Sequence, residues 1–210
     1  QEVLQAATEL QPLEKDFLLH FQRLGKKFPR NLAKVALETA ILREAAQKKF
    51  PNANKMYFTR EALEQASGSE VSSYRAERYR GYAQIADLGC SIGGDTSAMA
   101  QVSSVIGIDR DPLRLAIAQA NLKALNFDVP FIQTDLENSF PCLEYPAVAL
   151  FFDPGRRVNG RRISSVKKYI PPLQIVADWL TFFPALGVKI SPAVNKHELF
   201  GYDAEIEFIS

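Results

Sequence analysis

The fold is decided by the stretch Ile85–Thr96, read as IADLGCSIGGDT, together with the segment VIGID that ends at Asp109. An apolar approach leads into Asp87, and a turn of small residues with Gly89 and Gly93 follows it. Asp109 lies 20 residues after Gly89, at the tip of a second apolar run. Glycines let the backbone approach a ligand closely, the next helix offers unpaired N–H groups, and a carboxylate at that distance can accept hydrogen bonds from a ribose. The pattern therefore predicts a nucleotide-binding βαβ unit rather than a plain glycine-rich turn without a ligand.

Two kinds of nucleotide cofactor use this layout, and the acidic residue separates them. Dinucleotide oxidoreductases favour G-x-G-x-x-G, whereas this turn reads GCSIGG, with Ser91 at the position of the middle glycine. Asp87, two residues before the first glycine, resembles instead the acid of the D-x-G-x-G-x-G motif in class I S-adenosylmethionine (SAM) methyltransferases. That resemblance implies SAM rather than NAD as the cofactor, with its methionine end against Asp87 and the turn and its ribose against Asp109. The residues implied here for cofactor binding are Asp87, Gly89, Cys90, Gly93, Asp109 and Arg110.

Later segments supply the remaining strands. The third to sixth strands are predicted at Pro130–Asp135, Ala147–Asp153, Val188–Ser191 and Ala204–Ser210. We therefore expect an α/β protein with a Rossmann-like, doubly wound sheet of the class I methyltransferase type. That fold normally closes with a seventh strand, hairpinned to the sixth. Because the chain stops at Ser210, we expect this last strand to be missing by truncation.

The carboxyl ends of these strands carry the other candidate site residues, because ligands of open α/β sheets bind along that edge. Asp135 and Leu136 stand where the resemblance implies contact with the adenine ring. Asp153 and Pro154 open the string DPGRR at the position of the family's fourth motif, so they are the candidate catalytic residues. Lys189, on the neighbouring strand, is either a substrate contact or a structural partner of Asp153.

Residues 1–82 are predicted to form a helical domain ahead of a methyltransferase domain at residues 83–210, which is expected to be incomplete at its C-terminus. Helices are expected over Pro12–Leu24, from an N-cap at Asn31 to about Lys49, from an N-cap at Thr59, and up to Tyr79. Two roles stay open for them, which are packing against the sheet and recognition of the substrate by an appended cap. The predicted inner face of the second helix is Leu32, Val35, Ala36, Thr39, Leu42 and Ala46.

Charge is spread unevenly along the chain. Residues 84–153 carry 3 Lys/Arg against 9 Asp/Glu, which suits a cationic sulfonium. Six cations and no acid lie between Pro154 and Pro172. Arginine forks bind phosphate bidentately, and such runs often mark contact with nucleic acid, although a solvated loop is the alternative. The predicted substrate contacts are Arg156, Arg157, Arg161, Arg162 and Lys189, and Lys167 and Lys168 extend the run.

Four strings together point to a narrower resemblance. They are EQAS at 64–67, YR at 74–75, DPGRR at 153–157 and KISP at 189–192. In this order they resemble a group of SAM methyltransferases that carry a C-terminal THUMP-like domain, which would follow Ser210. The resemblance implies RNA, either tRNA or rRNA, as the substrate, methylated by in-line transfer to a base nitrogen or a ribose oxygen. A methyltransferase of a small anionic metabolite, or a module that binds SAM or RNA without catalysis, is the alternative.

Composition narrows the class of protein further. No apolar run approaches the ~20 residues of a membrane span, and the N-terminus lacks the pattern of a signal peptide. The two cysteines, Cys90 and Cys142, are too few for a disulfide framework or a metal cluster. We therefore expect a cytoplasmic protein with reduced thiols and with neither a metal nor a membrane as partner, and we leave its oligomeric state open.

Overall fold

The computed structural model of the protein describes residues 1–140, 149–158, 161–183 and 185–209, and it has the predicted α/β architecture. Its strands are β1 (Gln84–Leu88), β2 (Ser104–Asp109), β3 (Phe131–Gln133), β4 (Ala149–Phe152), β5 (Arg157–Val158), β6 (Arg161–Arg162) and β7 (Ala185–Val188). Five of them form one parallel sheet in the order β3-β2-β1-β4-β7, and β5 pairs with β6 in a short antiparallel ribbon. The strand order changes direction between β1 and β4, which is where open α/β sheets bind ligands.

The register of the sheet places the predicted acids at that point. Leu88, the last residue of β1, pairs with Ile108 of β2 and with Phe152 of β4. Asp109 and Asp153 come next along those two strands. Because parallel strands end at the same edge, both carboxylates emerge beside the turn that follows β1.

The helices are α1 (Glu2–Glu9), α2 (Phe17–Leu24), α3 (Arg30–Ala46), α4 (Arg60–Gln65), α5 (Ser69–Glu77), α6 (Gly94–Met99), α7 (Pro112–Ala124) and α8 (Val176–Trp179). The first five precede the sheet, whereas α6 and α7 are the crossovers that follow β1 and β2. Among the residues described, no helix is both long enough and apolar enough to cross a membrane.

Aromatic residues cover both faces of the sheet, as a doubly wound arrangement requires. On one face the ring of Phe152 meets that of Trp179, with centroids 4.9 Å apart. On the other face Phe151 packs edge-on against Tyr79, with centroids 6.2 Å apart. Since Tyr79 follows α5 directly, the helical N-terminal region supplies part of the covering layer of the sheet.

A buried amide joins the N-terminal region to the sheet region as well. Asn121 of α7 is fully buried, and its Oδ1 accepts a hydrogen bond from the backbone N–H of Tyr57 at 2.7 Å. Its Nδ2 donates to the carbonyls of Tyr57 and Ile92, both at 3.0 Å. This one side chain therefore ties the segment before α4 to the turn before α6. The division of the chain at residue 82 stays a prediction.

The expectations for α3 and α4 had different outcomes. Thr59 caps α4 as predicted, because its hydroxyl oxygen accepts a hydrogen bond from the N–H of Ala62 at 3.2 Å. The expectation for α3 is wrong at its start, since the helix begins at Arg30 and Asn31 lies inside its first turn. The inner face is also partly wrong. Leu32 and Val35 are 48% and 60% exposed, and the buried residues of α3 are Ala33, Ala36, Leu37, Ala40, Ile41, Leu42 and Ala46.

The physical reason for the shifted face is the small size of the alanines. Ala33, Ala36 and Ala40 share a core cluster with Ala7 of α1 and Leu24 of α2. Small side chains let neighbouring helices pack close together. A pattern weighted towards large apolar residues therefore places the contact face of α3 wrongly.

Two strand predictions also need correction. The last strand of the sheet is Ala185–Val188 rather than Val188–Ser191, which puts Lys189 immediately beyond the strand end. The predicted sixth strand is wrong, because no strand forms in the described part of 204–210, where Ile206 and Phe208 are 52% and 63% exposed. Instead, Glu205 and Glu207 of this segment form ion pairs with Arg78, at 2.6 and 3.4 Å. Residues 147–148 and Cys142 lie outside the described residues.

Candidate active site

A cavity of about 490 Å³ opens at the carboxyl edge of the sheet. Its wall is made by the ends of β1, β2, β4 and β7 and, from the N-terminal region, by α4 with the loop that follows it. That volume lies in the usual range of small-molecule sites, roughly 300–1,000 Å³. Strand ends and helix α4 thus enclose a site of the size that a nucleotide cofactor needs.

The glycine turn forms the floor of the cavity. Gly89 has a φ of +86°, and a Cβ at this position would lie 2.5 Å from the backbone oxygen of Asp153. The N–H groups of Gly89 and Cys90 both donate to the carbonyl of Ile108, at 2.8 and 3.0 Å. A side chain at position 89 would therefore separate the ends of β1 and β4, and glycine is required for their close approach.

Asp109 is held in place by backbone amides. Its residue is 8% exposed, and its two carboxylate oxygens accept hydrogen bonds from the N–H groups of Ser91 at 2.9 Å and Asp111 at 3.0 Å. Each carboxylate oxygen has two lone pairs, so both can accept a second hydrogen bond from a ligand. The side chain is thus fixed at the cavity wall with accepting capacity to spare.

Asp87 is the most buried acid of the site. Its residue is fully buried, and its Oδ2 accepts a hydrogen bond from the Thr96 hydroxyl at 2.6 Å. Its Oδ1 is buried without a hydrogen-bond partner among the residues that the structure describes. Burial, followed by the negative charge of Asp95, raises the pKa of Asp87 to about 8. At neutral pH this carboxyl group is therefore mostly protonated.

A chain of ion pairs lies beside Asp87. Lys189 donates to Oδ2 of Asp153 at 2.5 Å, and its Nζ lies 3.5 Å from Oδ2 of Asp95. Asp95 is in turn paired with Arg75 of α5 and accepts a hydrogen bond from the Ser72 hydroxyl at 2.7 Å. Burial opposes the charge of Lys189, but the carboxylates of Asp153 and Asp95 outweigh it and raise the pKa of Lys189. The ammonium therefore stays charged and holds Asp153 at the cavity wall.

Helix α4 contributes Glu61, Ala62, Glu64 and Gln65 to the wall of the cavity. Glu61 lies 3.4 Å from Arg114 of α7, and Glu64 lies 3.3 Å from Arg157. Lys49 donates three hydrogen bonds to carbonyls at the end of this helix, those of Leu63, Glu64 and Ala66, at 2.7, 3.2 and 2.8 Å. Ion pairs at both sides and one ammonium at its end therefore hold α4 across the cavity.

Comparison with known proteins agrees with this geometry. Residues 85–153 match the family model of the methyltransferase domain. The chain contains a class I SAM-dependent methyltransferase domain. It is 34% identical over 183 residues to an uncharacterized S-adenosylmethionine-dependent methyltransferase of Mycobacterium tuberculosis, found in two strains. That match covers 83% of this chain and 49% of the relative, so the chain spans about half the length of the curated relatives it matches.

A solved structure of a candidate methyltransferase from Porphyromonas gingivalis has the same fold. It superposes with a TM-score of 0.73 and 24% sequence identity, over 92% of this chain and 50% of that one. The cofactor of the methyltransferase domain is SAM. The buried acceptor atom of Asp87, the fixed carboxylate of Asp109 and the bare backbone at Gly89 fit that cofactor.

Most of the predicted cofactor residues of the methyltransferase domain lie together in the cavity wall. Those in the wall are Asp87, Gly89, Cys90, Asp109, Arg110, Asp135 and Leu136. Gly93 is not in the wall, and its φ of +83° instead turns the chain into α6, where a Cβ would lie 2.5 Å from the Leu122 side chain. Asp135 accepts hydrogen bonds from the N–H of Glu137 and from Nδ2 of Asn138, both at 3.1 Å. Burial raises the pKa of the Cys90 thiol well above its ordinary value, so this sulfur is not a reactive thiolate.

The predicted catalytic and substrate residues are only partly brought together. Asp153, Pro154, Arg156, Arg157 and Lys189 lie in the cavity wall. The side chains of Arg161 and Arg162 lie outside what the structure describes, although their backbone forms β6. Lys167 and Lys168 are exposed on a short 3-10 turn. The basic run therefore begins inside the cavity at Arg156 and continues on the surface at the lysines.

Sequence patterns did not predict three parts of the site. Asp95 follows the glycine turn directly, but its pairing with Arg75 and Lys189 joins segments that are far apart in sequence. Glu61 and Glu64 of α4 were not predicted either, because nothing in a helical pattern indicates that the helix lines a cavity. Arg75 was named only within the string YR at 74–75, as part of a resemblance. The sequence signal for its ion pair was a cation placed ahead of Asp95, the acid that follows the glycine turn.

Proposed function

We propose that this chain is the SAM-binding part of an RNA methyltransferase, which transfers the methyl group in line to a base nitrogen or a ribose oxygen. The observation that carries the proposal is that one cavity wall holds both the carboxylates proposed for the cofactor, Asp87 and Asp109, and the start of the basic run at Arg156 and Arg157. Asp153 and Pro154 lie in the same wall, directly before the basic run in the sequence. Because the chain spans about half of its curated relatives, the activity and substrate of the whole protein belong to this proposal.

The cofactor end divides into three groups of residues. Asp87, Gly89 and Cys90 form the part for the methionine end, and Gly93 shapes the turn behind them. Asp109 accepts hydrogen bonds from the ribose, and Arg110 lines the wall next to it. The adenine side is formed by Asp135 and the buried Leu136. When SAM is bound, it supplies an electrophilic methyl group on a sulfonium.

Asp153 is the residue that we assign to the acceptor. Lys189 holds its carboxylate through one oxygen, Oδ2, so the other oxygen can orient an acceptor N–H or O–H or take up its proton. Pro154 is buried next to it and fixes the direction of the backbone at the strand end. A group held in this way lowers the barrier mainly by positioning the acceptor for in-line attack.

The shape of the basic run favours a polymer as the substrate. Arg156 is half-buried in the cavity wall, whereas Lys167 and Lys168 are exposed beyond it. Positive charge that continues from a site onto the surface matches the repeated phosphates of a nucleic acid. The resemblance of the sequence to a group of methyltransferases for which RNA is the implied substrate agrees with this arrangement.

A methyltransferase of a small anionic metabolite is the second candidate. It is favoured by the enclosure of the cavity under α4 and by the ion pair that already occupies Arg157. The two candidates differ in their product. Mass spectrometry of modified nucleosides, in RNA from cells with and without the full-length protein, is expected to show one methylated nucleoside that depends on the protein. Identical nucleoside profiles, together with SAM turnover on small acids, would leave the metabolite as the substrate.

A further inference from the structure

We propose that Asp87 accepts the cationic amino-acid end of the cofactor in exchange for a proton, so that cofactor binding releases a proton to the solvent. This inference rests on the proposed function, because it assumes that the cavity holds the amino-acid end beside Asp87. It adds a coupling between cofactor binding and proton release, which a role of Asp87 in binding does not by itself imply.

The geometry around Asp87 leaves one acceptor position open. The residue is fully buried, yet it lies in the wall of the cavity. Thr96 occupies Oδ2, and Oδ1 is buried with no partner in the described parts of the chain. A buried polar atom that lacks a partner is costly, so this atom is suited to a donor that arrives with the ligand.

The charges that surround Asp87 balance without it. Four charged groups lie around the site, on α5, on α6 and after β4 and β7, and they are Arg75, Asp95, Asp153 and Lys189. Two are positive and two are negative, and each cation is paired with one of the acids. The other titratable neighbours are the Tyr79 hydroxyl and the Cys90 thiol, and burial raises the pKa of each. An ionised Asp87 would therefore add a negative charge that nothing in this group neutralises.

The free protein consequently holds Asp87 as a neutral acid, in agreement with its pKa of about 8. An α-ammonium group changes this balance, because it is a buried cation beside the open oxygen. The O–H bond of the carboxyl group then breaks, its proton passes to the solvent, and a carboxylate–ammonium pair remains. The ammonium keeps its own protons, and no covalent bond to the ligand forms.

Calorimetry with two ligands tests the exchange. S-adenosylhomocysteine carries the α-ammonium group, and 5′-methylthioadenosine lacks the whole amino-acid part. At pH 6.5, titrations in two buffers of different ionisation enthalpy should give about one proton released per S-adenosylhomocysteine and about none per methylthioadenosine. Between pH 6 and 7.5 the affinity for S-adenosylhomocysteine should rise by about tenfold per pH unit.

Two variants control the experiment. Asp87→Asn keeps the shape of the side chain but has no proton to release, so proton release and the pH dependence should both disappear. Asp109→Asn should weaken binding of both ligands without changing the number of protons. If Asp87→Asn does not fold, the comparison of the two ligands on the unchanged protein still decides.

The possible failures are distinguishable. If S-adenosylhomocysteine binds at pH 6.5 without releasing a proton, the inference is wrong and the proposed function stands. If methylthioadenosine releases as many protons as S-adenosylhomocysteine, the released proton does not come from Asp87. If neither ligand binds, the proposed function fails together with the inference.

Discussion

The two ends of the cavity are built in different ways. At the cofactor end, backbone amides within one βαβ unit fix Asp109, and a bare glycine backbone forms the floor. At the acceptor end, Asp153, Lys189 and Asp95 hold one another, and these residues come from separate elements. Local sequence therefore specifies the residues that we propose for the cofactor. The ion pairs around Asp153, which we propose for the acceptor, depend on tertiary structure.

The largest effect is expected at the acceptor end. Asp153→Ala should lower methyl transfer to RNA about 100-fold or more, because it removes the carboxylate that we assign to orient the acceptor. The measurement is the transfer of a labelled methyl group from SAM, by the full-length protein, to RNA taken from cells that lack the protein. S-adenosylhomocysteine should still bind to the variant, so that loss of transfer is distinguished from loss of the cofactor. Asp178→Ala, which removes an exposed carboxylate on α8, is the control. Undiminished transfer in Asp153→Ala would leave Asp153 as a structural partner of Lys189 only.

Substitution of Gly89, in the floor of the cofactor end, should have the next largest effect. Gly89→Ala places a Cβ against the Asp153 backbone at a positive φ, so it combines overlap with a strained backbone. We expect the free energy of unfolding in urea to fall by about 2–5 kcal/mol. Gly81→Ala isolates the backbone part, because its φ is +102° but the space around it is open, and it should cost about 1–2 kcal/mol. Gly68→Ala has neither feature. Equal losses of stability at positions 89 and 81 would show that β1 and β4 pack loosely at this point.

Removal of the Asp109 carboxylate should weaken cofactor binding more than it weakens the fold. Each charge-assisted hydrogen bond to the ribose is worth about 1.5–3 kcal/mol, so Asp109→Ala should raise the Kd of S-adenosylhomocysteine about tenfold or more. Calorimetry measures it, with Asp128→Ala as an exposed carboxylate for comparison. The unchanged protein should bind S-adenosylhomocysteine and not NAD. An unaltered Kd in Asp109→Ala would mean that the ribose lies elsewhere.

The basic run should give the smallest effect per residue. Substitution of Arg161, Arg162, Lys167 and Lys168 by Ala should lower the salt dependence of RNA binding by about 0.7 for each phosphate that the protein no longer neutralises. SAM affinity should not change, and the exposed charges of Lys167 and Lys168 should contribute little to stability. The matched control removes four exposed cations of the N-terminal region, Arg23, Lys26, Lys27 and Lys34. If both variants keep the salt dependence of the unchanged protein, the basic run is a solvated loop, and a small anionic metabolite becomes the favoured substrate.

Local patterns sufficed for the first half of the sheet. The strands β1 and β2, the glycine turn and Asp109 lie within 26 consecutive residues, Gln84–Asp109, so spacing alone predicts their arrangement. The central β4 was predicted because a strand buried on both faces is apolar throughout. In each case the deciding contacts join residues that are close in sequence or belong to adjacent strands.

The errors arise where contacts join distant residues. The face of α3 depends on how closely α1 approaches it, and the acids after Ala204 form ion pairs with the distant Arg78. The pairing of Arg75 with Asp95 depends on the packing of α5 against α6, two helices that no motif spacing connects. Spacing within one segment carries no information about such contacts. Lys189 was predicted as a possible partner of Asp153, but the contact of Lys189 with Asp95 was not predicted.

The position of α4 bears on how small a working fragment can be. The family match begins at residue 85 and the sheet begins at Gln84, yet residues 61–67 contribute to the wall of the cavity. Their helix is held by the ammonium of Lys49, which sits further upstream still. A fragment cut at the first strand would keep every residue of the family match and lose one side of the cavity wall. The minimal cofactor-binding unit therefore begins before Lys49, well ahead of the point at which the recognisable domain starts.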